Sequence, residues 1–201
     1  GSVPFLIMAT DAVEIANSAL AKIGAATILS LDDDTKEARL CKIRLTPIRR
    51  IVLRMHPWNC AIDRVLLAPL VETPAFGLTK VFQQPSDCLR IIDITPLDVF
   101  YRLEGRKILC DESSLELRYL KDETDWTKFD ELLSEAIACY LAWDIGFPLT
   151  QSNTVVERVW KQFETIKRQA KSVDAQEERD YELTADTFLD ARIQGTGGLR
   201  N

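Results

Sequence analysis

Few side chains in this sequence have the types and spacing that chemistry requires. Two runs of carboxylates stand out, Asp32-Asp33-Asp34 and Asp111-Glu112. Glycoside hydrolysis needs two carboxyl groups flanking the scissile bond. Neighbours within one turn rarely face each other that way, so both runs read as solvated loop acids. The single histidine, His56, stands before Pro57, and the chain has no G-x-S-x-G nucleophile signature for it to serve. Five cysteines (Cys41, Cys60, Cys88, Cys110 and Cys139) are scattered over apolar stretches, with no C-x-x-C pair. An odd, scattered set reads as reduced, buried thiols of a protein made in the cytosol. One histidine and no cysteine cluster leave no zinc site of ordinary type. Gly195-Thr-Gly-Gly198 precedes no helix and so makes no phosphate loop. The expectation is a non-enzyme with no catalytic residue, no cofactor and no metal.

The elements that would carry any site fall into three blocks. Asp11-Ala-Val-Glu14 forms a capping box, and Val13, Ile15, Ala16, Ala19, Leu20 and Ile23 recur at helical spacing up to the stop at Gly24. Asp34-Thr-Lys-Glu37 reads as a second box. It opens a long helix with a buried stripe of Ala38, Cys41, Leu45, Ile48, Val52, Met55 and Trp58, kinked at Pro47 and ended by Pro57. From Ile62 the period changes. Strands are predicted at residues 65–67, 78–82, 89–94, 98–103, 107–110 and 115–120, with a hairpin turn at Glu104-Gly-Arg106. Helix returns near Trp126 on Phe129, Leu132, Leu133, Ala136, Ile137, Tyr140 and Leu141, and ends at Gly146-Phe-Pro148. Ser152 or Asn153 then caps a last helix, whose stripe runs from Val155 to Val173. A loop this short makes the last two helices antiparallel.

The fold expected is α+β: an antiparallel bundle of about four helices with an inserted antiparallel β domain and an extended C-terminal arm. The bundle would take residues 9–61 and 126–179, the β domain 62–125 and the arm 180–201. Residues 1–7 read as a vector remnant, with Met8 as the natural start. Val3 to Met8 is too short for a signal peptide and lacks a basic start. No apolar run reaches the roughly eighteen residues of a membrane span. A net charge of −6 disfavours a dedicated nucleic-acid binder.

Two charged segments are the candidates for interaction. The long second helix carries Lys36, Arg39, Lys42, Arg44, Arg49, Arg50 and Arg54 off its apolar stripe. A solvated face is the plain reading, and contact with phosphates or an acidic partner the sharper one. Residues 174–190 hold seven acids against Arg179, with Tyr181, Leu183, Phe188, Leu189 and Ile193 as spaced apolar anchors. Such a segment orders on a partner rather than on its own core. Complementary patches on one chain favour head-to-tail contacts, which close into rings when the rotation permits. The candidate interface residues are therefore Arg39, Lys42, Arg49, Arg50 and Arg54 on the helix and the five anchors on the arm.

Several segments in order carry a family resemblance: His56-Pro-Trp58-Asn-Cys-Ala61, Gln84-Pro-Ser-Asp-Cys-Leu-Arg-Ile91, Phe100-Tyr-Arg-Leu-Glu-Gly105, Leu115-Glu-Leu-Arg-Tyr119 and the Ala/Tyr/Leu-rich helix over Leu132–Leu141. Over roughly Ala9 to Val173 the chain resembles the tail tubular protein A family, the head-to-tail adaptors of short-tailed bacteriophages. That resemblance implies a structural virion protein at the head–tail junction, assembled in the host cytoplasm. Its partners would be the portal protein, neighbouring copies of itself in a ring, and a tail nozzle protein of the tail tubular B type. Genomic DNA would pass through without sequence-specific contact, and no membrane would be involved. The rival readings are a cell-wall glycan hydrolase of a phage tail, and another tail-completion or terminator protein.

Overall fold

The computed structural model describes residues 11–97 and 99–194, with side chains through Val173. The chain is α+β: four helices and two small antiparallel sheets. Helix α1 (Ala12–Ile23) starts on the capping box expected for it, with Asp11 accepting from the amides of Val13 and Glu14, and stops at Gly24, φ 72°. Helix α2 (Lys36–Met55) is capped by Thr35, which accepts from the amide of Ala38. The expected box on Asp34 is not formed, because Asp34 turns instead to Arg39 at 3.1 Å. Pro47 lies inside α2 on its exposed side, so the Ile43 carbonyl it leaves unbonded lies on the solvent side of the helix.

The strands are β1 (Ile62–Leu67), β2 (Lys80–Gln83), β3 (Cys88–Thr95), β4 (Arg102–Glu104), β5 (Lys107–Cys110) and β6 (Leu115–Lys121). They do not make one sheet. One sheet has the order β1-β6-β3 and the other β2-β5-β4. The β4–β5 hairpin turns at Gly105-Arg106, with Gly105 at φ 61°, a backbone conformation that suits glycine. The inner faces share a core of Phe82, Cys88, Ile94, Ile108, Cys110, Leu115, Leu117 and Tyr119. Burial pushes the Tyr119 hydroxyl up to about 12, reinforced by the charges of Asp87 and Asp63.

After β6, Trp126–Lys128 forms a single 3-10 turn, and the helix expected there begins later. Helix α3 (Glu131–Thr150) is capped by Asp130, which accepts from the amide of Leu133 at 2.7 Å. It runs past Gly146 and through Pro148 to end on Gln151 at φ 55°, beyond the expected stop. Near a helix C-terminus a proline removes only one bond, and Lys36 donates to the Pro148 carbonyl at 2.5 Å. By length and composition α3 could cross a membrane, which revises the expectation that no segment is long enough. Half of that apolar window is buried inside the protein, where α3 packs against α1, α2 and α4.

Helix α4 (Asn153–Gln194) turns back on α3 through Gln151 and Ser152. Tyr140 and Trp143 of α3 meet Trp160 and Phe163 of α4, with ring centres 4.9–6.2 Å apart. The last buried side chain described on α4 is Ala170; Val173, expected in the stripe, is half-exposed. The backbone nevertheless stays helical to Gln194, so residues 180–194 continue α4. Their composition explains this, since residues 174–194 contain neither glycine nor proline. The arm anchors Tyr181, Leu183, Phe188, Leu189 and Ile193 have side chains outside the described residues, as do residues 1–7 and 195–201 altogether.

Candidate interaction surfaces

The basic side of α2 divides into two parts. Arg49 is buried, and its Nη2 donates to Asp122 at 2.7 Å while its guanidinium lies over the Trp126 ring, 5.5 Å from the centroid. Arg50 donates to the second oxygen of the same carboxylate at 2.6 Å. Arg54 donates to the Leu89 carbonyl in β3 at 3.0 Å. These three, expected to face a partner, tie α2 to the β unit and to the segment that leads into α3. Arg39 and Lys42 fit the solvated reading: both are exposed, and they pair with Asp34 and Asp32 in the preceding loop. The structure therefore brings Arg49, Arg50 and Arg54 together at one joint and leaves Arg39 and Lys42 at the other end of the helix.

The joint holds a second ion group that the sequence analysis does not single out. Glu123 is buried and accepts from the Asp125 amide, with Lys128 at 3.0 Å and Lys121 at 3.3 Å. Burial alone would raise the Glu123 carboxyl. The Asp125 amide and the two ammonium groups outweigh burial and hold it down at about 2. Adjacent acids Asp122 and Glu123 thus each collect two cations, Asp122 both from α2 and Glu123 one from β6 and one from the 3-10 turn, and the only sequence signal for this is an acidic pair between a strand and a helix.

The two carboxylate runs tempting for hydrolysis act as loop staples. Asp33 accepts from the amides of Leu29 and Ser30, and Asp111 from the amide and hydroxyl of Thr79, both at 2.8 Å. Asp32 and Asp111 are held below the usual carboxylate range by Lys42 and Thr79 respectively. Among the described residues no three histidine, cysteine or acidic side chains are grouped as metal ligands. His56 is buried edge-on to Trp58, with ring centres 4.8 Å apart.

Two exposed apolar surfaces complete the picture. On α2, Ile43, Pro47, Ile51 and Met55 recur every four residues along one exposed row. Met55 was expected in the buried stripe. Twenty residues of helix rotate that stripe far enough to carry Met55, the last residue of α2, toward solvent, while Trp58 beyond the helix end is buried. On the β unit, Phe76 and Phe100 are exposed around a cleft of about 770 Å³ over β2-β5-β4. The four-residue spacing on α2 was readable in the sequence. The cleft was not, because it depends on how the 68–79 loop folds over the sheet.

No protein-family model matches the chain, and no curated protein matches it.

Proposed function

We propose that the chain is a structural connector of a short-tailed phage virion, a head-to-tail adaptor. It docks on the portal ring, forms a ring of copies around the DNA channel and bridges to the tail nozzle protein. The architecture proposed for this role is an antiparallel four-helix bundle carrying the β unit between α2 and α3, with the end of α4 as a C-terminal arm. The ordered resemblance of the sequence segments supports this family. The structural observation that carries it is α4 itself, which stays helical from Ala170, the last buried residue described on it, to Gln194. That is roughly 36 Å of helix, with a sequence of seven acids over residues 174–190. Ordering such a segment costs conformational entropy, which contacts in an assembly offset.

Mass by light scattering tests the proposal, for the protein alone and mixed with a portal ring. The expected result is a small free species that joins the portal at about one copy per portal subunit, the ratio a closed ring of matching symmetry requires. A chain that ignores the portal overturns the adaptor reading.

A further inference from the structure

We infer that the exposed row Ile43–Pro47–Ile51–Met55 of α2 is the seat for the C-terminal half of α4 from a second copy of this chain, the two helices running parallel. The inference deepens the ring reading by naming the contact between neighbours, and it rests on that reading only for closure of the ring.

The α2 side of the contact is an apolar row left exposed among the described residues. Ile43 is 67% exposed, Ile51 37% and Met55 36%, and Pro47 between them is also exposed. Residues four apart share one side of a helix, so the row is continuous and about 18 Å long. The row one residue earlier is Lys42, Thr46, Arg50 and Arg54, so the apolar row has a basic flank. That flank keeps unmatched charge. Arg50 shares the single carboxylate of Asp122 with the buried Arg49, Arg54 donates to a carbonyl oxygen, and Lys42 meets only the exposed loop acid Asp32. The only acid on α2 is Glu37, at its far end.

The C-terminal half of α4 carries the complement. Tyr181, Ala185, Leu189 and Ile193 stand four apart, the same spacing over the same length. The row one residue later is Glu182, Asp186, Asp190 and Gln194, an acidic flank. Two rows of four-residue spacing are the ridges that interdigitate in the commonest helix packing.

The flanks also fix the direction. On a right-handed helix viewed from outside with its N-terminus down, the row one residue earlier lies to the left and the row one residue later to the right. The basic flank is therefore on the left of α2 and the acidic flank on the right of the α4 end. Facing surfaces exchange left and right. The two flanks coincide when the helices run parallel and lie on opposite sides when they run antiparallel. In the parallel register Lys42 stands beside Glu182 and Arg50 beside Asp190. Because each chain has one seat and one arm, the contact is head-to-tail and propagates round a ring.

A charge swap in the full chain tests this. Sedimentation equilibrium is run up to about 1 mM, a range in which weak contacts are half-formed, on the wild type, Lys42→Glu, Glu182→Lys and an equimolar mixture of the two variants. Lys42 is exposed and pairs only with the exposed loop acid Asp32, so its change leaves the fold intact. The expected result is self-association of the wild type, weakened roughly five- to tenfold in each variant and restored in the mixture, where every seat meets an opposite charge. A mixture no tighter than the separate variants, or a wild type that stays monomeric throughout, overturns the contact. The same proteins are then titrated on the portal ring. Portal docking without this contact leaves the adaptor reading standing, whereas the contact without portal docking removes the adaptor reading and leaves a self-assembling protein of another kind.

Discussion

Arg49 on α2 donates to Asp122, just beyond β6, at 2.7 Å, with both side chains under a tenth exposed. These residues are far apart in sequence, and their pairing fixes the β unit against the helices. The carboxylate is shared with Arg50, which is mostly exposed, so the two members of the pair are not equivalent. Removing Asp122 strands a buried cation whose Nε already lacks a partner. Removing Arg49 leaves Asp122 still bonded to Arg50. Asp122→Ala is therefore expected to cost about 3–5 kcal/mol, and Arg49→Met clearly less. Urea unfolding of both variants measures this, and equal losses would contradict the asymmetric joint.

The neighbouring Glu123 makes stability depend on acid. Its folded carboxyl is held at about 2, below the 4.5 of the free group. A depressed folded value means stability that is complete above the unfolded value and is lost as pH falls through the folded one. The window is thus from about pH 4.5 down to about pH 2. The contribution is at most about 3 kcal/mol, reduced by solvent around the half-exposed Lys128. The urea midpoint of the wild type should fall faster across that window than the midpoint of Glu123→Gln. Parallel curves for the two proteins would show that Glu123 does not carry the effect.

What could be read from the sequence followed the range of the forces involved. The Asp11–Glu14 box and strand β5 at Lys107–Cys110 were legible, because a cap or a short alternating run is decided by residues a few positions apart. The division into two sheets was not. Alternation says that β1 and β6 are strands, and nothing local says that Ile62 pairs with Leu120. Arg49 was misplaced for the same reason: a cation is buried only where a carboxylate from a distant segment neutralises it. At Thr35 and Asp34 two adjacent residues could each have capped α2, and the local pattern could not choose between them. Of the candidate interface residues, the sequence located the basic helix but could not separate its internal clamps from its free flank.

The cysteines make a simpler prediction. All five are free, and burial pushes the thiols of Cys41, Cys60 and Cys139 up to about 11, with Cys88 and Cys110 also raised. A raised thiol is a poor nucleophile near neutral pH. A disulfide reagent at about pH 8, close to the free-thiol value, should react slowly with the native protein and promptly with all five thiols in denaturant. Cys60, the one that is only partly buried, should react first. Prompt reaction of several native thiols would rule out the burial described.

Gly146 sits where three helices meet. A Cβ there would lie 3.2 Å from Val156 Cγ2 on α4 and 3.6 Å from Ile23 Cγ2 on α1. Gly146→Ala gains up to about 1 kcal/mol of helix propensity and spends much of it moving the Val156 methyl, so it should be nearly neutral. Gly146→Leu has no such space and should destabilise by about 3 kcal/mol. Adding Val156→Ala should recover part of that loss, a coupling that a double-mutant cycle reads directly. Independent effects would place the crowding elsewhere.

Truncation after Val173 separates folding from assembly. Ala170 is the last buried side chain described on α4, so the shortened chain keeps every core contact described and should unfold within about 1 kcal/mol of the full chain. It loses the acidic run and the row Tyr181–Ala185–Leu189–Ile193. If those residues form the arm, the truncated protein should stay folded, lose self-association and fail to build a complete ring on the portal. Thermal unfolding and light scattering on the same sample give both answers. A truncated chain that unfolds would make the end of α4 part of the core. One that stays folded and still fills the portal would move the assembly surface to the exposed cleft around Phe76 and Phe100.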